Sequence, residues 1–136
     1  MTAGGFAEAA DELEKALKLA RTKRAGLENE ARLLADLANA RRLNGDLPGA
    51  ERAAGEALEV AHKRSARIPE CLARIVLAEV ALTMGNHDKA ALELPRIQAL
   101  LKETGADLYA PLVHGLVAGI DGSSGVDPIG KMLRTD

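Results

Sequence analysis

Three glycines, Gly5, Gly45 and Gly85, stand 40 residues apart, and three alanines, Ala10, Ala50 and Ala90, keep the same interval. A further series, Ala38, Ala78 and Ala118, repeats it. Self-similarity at a fixed step of this size marks a stacked helical array, in which each unit buries its apolar face only against a neighbouring copy. The unit is plainest from Leu77 to Ala90: an apolar helix, a break at Gly85-Asn86, and a restart before a small residue.

The intervening sequence reads as helix throughout. Ala9, Ala10, Leu13, Ala16, Leu17 and Ala20 fall at helical spacing opposite Glu, Lys and Asp, which predicts an amphipathic helix over Phe6 to Arg24, ended by Ala25-Gly26. A second helix is predicted over Glu28 to Asn44. A third runs from Leu47 to Arg64, with Asp46 placed to accept its free N–H groups and Pro48 in its first turn. Ser65 to Glu70 reads as a connection merging into a fourth helix, Pro69 to Met84, the most apolar stretch, in which Leu77 is expected to be buried. Asn86 caps a fifth over His87 to Glu103, where Pro95 removes one backbone donor and predicts a bend near Ala91. Asp107 caps a sixth that stops at Gly122. Ile129, Met132 and Leu133 have the spacing of one short capping turn, while the Gly, Ser and Pro around them equally suit a tail without fixed structure. The division is a helical repeat domain over 1–120 and a loop-rich tail over 121–136.

Composition removes several classes of function. Eighteen basic and twenty acidic residues leave a net charge of −2. No block of like charge marks a nucleic-acid surface, and Phe6 and Tyr109 are the only aromatic side chains available for base stacking. No apolar run approaches membrane-spanning length. The single cysteine, Cys71, cannot close an internal disulfide and reads as a small buried hydrophobe. With no signal-peptide pattern at Met1 to Gly5, the expected setting is the cytoplasm.

Within one copy, Leu37-Ala38, Gly45-Asp46, Ala50 and Ala57-Leu58 follow one another at set spacing, and Leu77-Ala78, Gly85-Asn86, Ala90 and Ile97 repeat the scheme. This pattern resembles the tetratricopeptide repeat. The resemblance implies an all-α solenoid of about six antiparallel helices wound into a right-handed superhelix. The step exceeds that family's usual 34 residues, and the longer form looks like the arrays of bacterial regulatory ATPases and maltose-regulator-type transcription activators. Leu34, Arg41, Arg74 and Ala81 stand where the family carries bulky aromatics. Asn39 matches one position of the clamp by which some members hold a C-terminal carboxylate, but Ala35, Val76, Leu112 and Leu116 occupy the others, so that clamp is absent.

Nothing in the sequence assembles a catalytic group. His62, His87 and His114 lack partners at metal-ligand spacing, although Glu59 shares a helical face with His62, and no glycine-rich loop is followed by the lysine of a phosphate site. No enzyme activity, metal or cofactor is expected. The resemblance instead implies a protein-interaction module, its groove lined by Arg32, Asn39 and Arg42 on one helix and by Leu72, Ile75, Glu79 and Leu82 on the next. An amphipathic peptide with an acidic edge would suit that groove, the segment of a partner in bacterial signalling or regulation. Two alternatives stay open: a structural or sensor segment of a larger regulatory ATPase or transcription regulator, and an array binding a small-molecule effector. Ile75 and Leu82 fit equally well as packing between adjacent helices. A homodimer through the terminal helices is also expected, because Ala9, Leu13 and Leu17 at one end and Leu112, Leu116 and Ile120 at the other lack a covering helix.

Overall fold

A computed structural model describes residues 5–24, 29–105 and 107–122. Among these residues six helices follow one another in antiparallel pairs: α1 (Phe6–Lys23), α2 (Glu30–Leu43), α3 (Leu47–Arg64), α4 (Arg67–Thr83), α5 (His87–Thr104) and α6 (Ala110–Gly122), the last entered through a 3-10 turn at Asp107–Tyr109. The Ala25-Gly26 stop and the Ile129 to Leu133 segment lie outside the described residues.

The 40-residue interval reappears as two turns built from the same bonds. Gly45 and Gly85 sit at φ of 86° and 81°, a region that a side chain adopts only at a cost. At the first turn, the N–H of Gly45 donates to the Arg42 carbonyl at 3.0 Å and that of Asp46 to the Arg41 carbonyl at 2.9 Å. At the second, Gly85 donates to Leu82 at 3.0 Å and Asn86 to Ala81 at 2.8 Å. Both are helix stops in which a left-handed glycine lets two N–H groups satisfy carbonyls left over in the last turn. The next helix begins at once. Asp46 Oδ1 accepts from the Gly49 N–H at 3.0 Å and Asn86 Oδ1 from the Lys89 N–H at 3.1 Å, so each cap satisfies a donor that the first helical turn leaves unpaired.

Other boundaries depart from the sequence reading. Arg24 and Ser65, at φ of 52° and 54°, close α1 and α3 in the left-handed conformation without a glycine. Helix α4 takes in most of the stretch read as a connection, with only Ser65 and Ala66 between it and α3 and with Pro69 in its first turn. Pro95 lies exposed inside α5 and does not end it.

Helix α2 packs on α1, α3 and α4, and α4 packs on α2, α3, α5 and α6, so α2, α4 and α6 form a consecutive row. Helix α4 divides its buried residues between two core clusters. Leu72, Ala73, Val76 and Val80 join α1, α2 and α3, whereas Cys71, Ile75, Ala78 and Ala81 join α5 and α6. Ala10, Ala50 and Ala90 are all buried, as are Ala38 and Ala78, but Ala118 is exposed. Leu77 is only half-buried, against the first cluster.

Candidate binding face

Arg32, Asp36, Asn39 and Leu43 occur at steps of three and four along α2 and so share one stripe of it, with Arg42 alongside. Asn39 Oδ1 accepts from Arg42 Nε at 3.2 Å and from Nη2 at 2.9 Å, which fixes the guanidinium while leaving its charge uncompensated. Among the described residues no carboxylate pairs with Arg42. Arg32 is more open, its side chain 77% exposed and its Nε 3.8 Å from Asp36 Oδ2. Burial raises the Asp36 carboxyl above its ordinary value, and the Arg32 charge opposes that rise.

Tyr109, in the 3-10 turn before α6, joins this end of the stripe. Its hydroxyl is raised first by burial and then by the Asp36 charge, with Arg32 acting in the opposite sense. A depression of about 370 Å³ lies beside them, lined by Ala20, Asn29, Arg32, Leu33 and Asp36. The sequence pointed to Tyr109 only as a rare aromatic, since nothing in residue spacing joins it to α2.

On α4 the outcome differs. Leu72 and Ile75 are 4% and 1% exposed and pack into the two opposite clusters, so neither offers a surface to a partner. Leu82 is half-buried beneath α6: a Cβ added at Gly119 would stand 2.9 Å from Leu82 Cδ1, so the missing side chain at Gly119 permits that approach. Glu79 is half-exposed, and its carbonyl accepts from Thr83 Oγ1 at 2.9 Å. Of the seven groove residues expected from the sequence, Arg32, Asn39, Arg42 and Glu79 keep accessible polar groups.

Two further polar clusters lie away from this stripe. Between α4 and α5, Glu70 accepts from Arg74 Nε at 2.9 Å and from Arg96 Nε and Nη2 at 3.0 and 3.2 Å, while Arg74 Nη1 reaches Glu93 at 3.0 Å. Burial works to raise the Glu70 carboxyl, but hydrogen bonds from Arg96 and Arg74, with their charges, outweigh it and hold the group below its ordinary range. Between α1, α2 and α3, a cavity of about 280 Å³ is bordered by Glu14, Lys18, Arg21, Arg41 and Glu56. Arg41 there donates to Glu14 at 3.1 Å and to the Gly49 carbonyl at 3.1 Å. Arg41 and Arg74 therefore tie helices together by charge.

Cys71 is fully buried, and burial together with the neighbouring Glu70 charge pushes its thiol up to about 11. A thiol so far from its thiolate is a packing residue. Among the described residues no cluster of three or more His, Cys, Asp or Glu is placed to hold a metal ion, and no helix is long and apolar enough to cross a membrane.

Comparison with known proteins gives no match: no family model fits the sequence, and no curated protein or solved structure is significantly similar to it.

Proposed function

We propose that this chain is a tetratricopeptide-like array whose even-numbered helices form the groove side, and that it holds an acidic-edged amphipathic peptide or helix of a partner protein across α2. Two congruent glycine turns one repeat apart, with α2, α4 and α6 packed in series, support the architectural part of this reading. The observation that carries the functional part is Arg42. Its guanidinium is oriented by Asn39 and has no carboxylate partner among the described residues. Arginine held in one orientation loses little freedom when a carboxylate docks on its remaining N–H groups, and such charge-assisted pairs are short and specific. Arg32, two turns and more away on the same helix, supplies a second cation, and Glu79 on α4 disfavours acidic groups on that side and so gives the peptide a direction.

A library of amphipathic peptides graded in net charge tests this, with the full-length chain immobilised. Acidic members are expected to bind, with affinity falling about tenfold or more in an Arg42→Glu variant of unchanged helicity. Binding that ignores peptide charge, or that survives Arg42→Glu unchanged, would remove α2 as the recognition surface.

A further inference from the structure

The cavity of about 280 Å³ between α1, α2 and α3 lies apart from the α2 recognition stripe. Leu34, Leu37 and Arg41 reach it from α2 at steps of three and four, on the side of that helix opposite Arg32, Asp36 and Asn39. Its floor is apolar, since Leu17, Leu34, Leu37 and Ala53 are all buried. Its rim is charged. Glu14, Lys18 and Arg21 stand at steps of four and three on α1 and so share one side of that helix, while Glu56 lines the cavity from α3.

The rim charges are unequally matched. Arg41 donates to Glu14 at 3.1 Å and Arg21 to Glu30 at 2.8 Å, so those two carboxylates already hold short partners. Among the described residues Glu56 has one partner, Arg21 Nη2 at 3.5 Å, on a guanidinium whose Nε is already engaged by Glu30. Lys18 has no carboxylate partner among the described residues. One open cation and one weakly held carboxylate therefore border the same space without pairing with each other. Stacking of repeats does not call for this set. One repeat on, Glu14, Lys18 and Arg21 correspond to Ala54, Leu58 and Ala61, and Glu56 to Arg96. Ala54 and Ala61 are buried and Leu58 is half-buried, so the following copy packs apolar side chains where this one sets charges around a cavity.

We propose that this cavity binds a small zwitterion of the α-amino-acid class, with its carboxylate on Lys18, its ammonium on Glu56 and a short aliphatic side chain over Leu17 and Leu37. Charge selects the class. A ligand with one charge of each sign completes both open pairs at once, whereas a simple anion meets Glu14 and Glu56, and a simple cation meets Lys18, Arg21 and Arg41. Size agrees, because pockets for drug-sized ligands run from about 300 to 1,000 Å³, and a space of about 280 Å³ suits a smaller molecule. Charge contacts made inside a cavity are less screened by water than pairs on an open surface, which favours the bound zwitterion over the solvated one.

The experiment is a calorimetric titration of the full chain with L-leucine and L-valine. Two further probes divide the zwitterion: 4-methylpentanoate lacks the ammonium of leucine, and 3-methylbutylamine lacks its carboxylate. Saturable binding of the amino acids is expected, with each half-probe at least about tenfold weaker. Lys18→Met and Glu56→Gln are each expected to weaken L-leucine about tenfold or more with unchanged circular dichroism. Both side chains are exposed, and Glu56→Gln gives up one 3.5 Å contact while Lys18→Met gives up no ion pair, so neither change threatens the fold. No saturable binding of either amino acid would overturn the proposal. Binding that both variants leave intact would also overturn it by moving the site away from this cavity, and 4-methylpentanoate binding as tightly as L-leucine would replace the zwitterion with a simple anion.

Discussion

The hairpins α2–α3 and α4–α5 share a turn and differ in what fills them. Helix α3 buries Gly49, Ala50, Ala53, Ala54, Ala57 and Ala61, so its fully buried side is made almost entirely of methyl groups, with Leu47, Leu58 and Val60 partly buried beside them. Helix α5 buries only Ala90, Ile97 and Leu100, and meets α4 through fewer, larger side chains supplemented by the Glu70, Arg74, Glu93 and Arg96 cluster. The same glycine stop and polar cap thus support two kinds of interface. Local turn chemistry sets the reversal of the chain, and side-chain volume sets how the two helices are held together.

Opposite substitutions separate the two hairpins most sharply. Ile97→Ala opens a cavity in the sparse interface and is expected to cost about 2–5 kcal/mol. Ala54→Leu overfills the alanine interface, where the residue is 0% exposed, and is expected to cost about 1–3 kcal/mol. Urea unfolding followed by circular dichroism measures both, and a harmless Ala54→Leu would mean that α2 and α3 have room to move apart.

The turns are expected to respond alike where the cores do not. Asp46→Ala and Asn86→Ala each remove one capping acceptor, at about 1 kcal/mol apiece. Clearly unequal losses in the same unfolding assay would break the equivalence of the two turns.

The smallest effect is a pH dependence confined to the second hairpin. Because the folded-state carboxyl of Glu70 is held below its ordinary value of 4.5, its ion pairs contribute stability above that pH, and the contribution fades as pH falls through the lowered value. Acid titration of the melting temperature is expected to show this component in the wild type. Glu70→Gln should lower stability near neutral pH and flatten the curve on the acid side, and identical acid limbs would assign the loss to other carboxylates.

The turns were legible because glycine and a short polar cap act within a few residues of sequence. Arg24 and Ser65, doing a comparable backbone job at the ends of α1 and α3, carry no such sign, since neither residue type favours the left-handed region as glycine does. Helical spacing also found the apolar side chains of α4, but the resemblance placed Leu72 and Ile75 in an open groove, with packing between helices as the alternative for Ile75. A helix packed on opposite sides gives the same periodic signal whichever side meets solvent, so only the contacts of α4 with α2, α5 and α6 decide it. On α6, attention to leucines marked the inward side rather than an uncovered end, since Leu116 is fully buried and Leu112 and Ile120 are half-buried against the second cluster. The Glu70 cluster was hidden for another reason: its members come from two helices, and only the hairpin brings Arg96 beside Glu70.

The recurrence of one turn also bears on how such a chain grows. The bonds around Gly45 and Gly85 involve only residues within a few positions of each glycine, so a genetic duplication with its seams at these glycines carries complete stops and caps into the new copy. Core residues are then free to drift separately, alanine in one hairpin and isoleucine in the next. The glycine punctuation would be the most heritable part of the molecule, and its spacing the ruler by which length is added or lost in whole units.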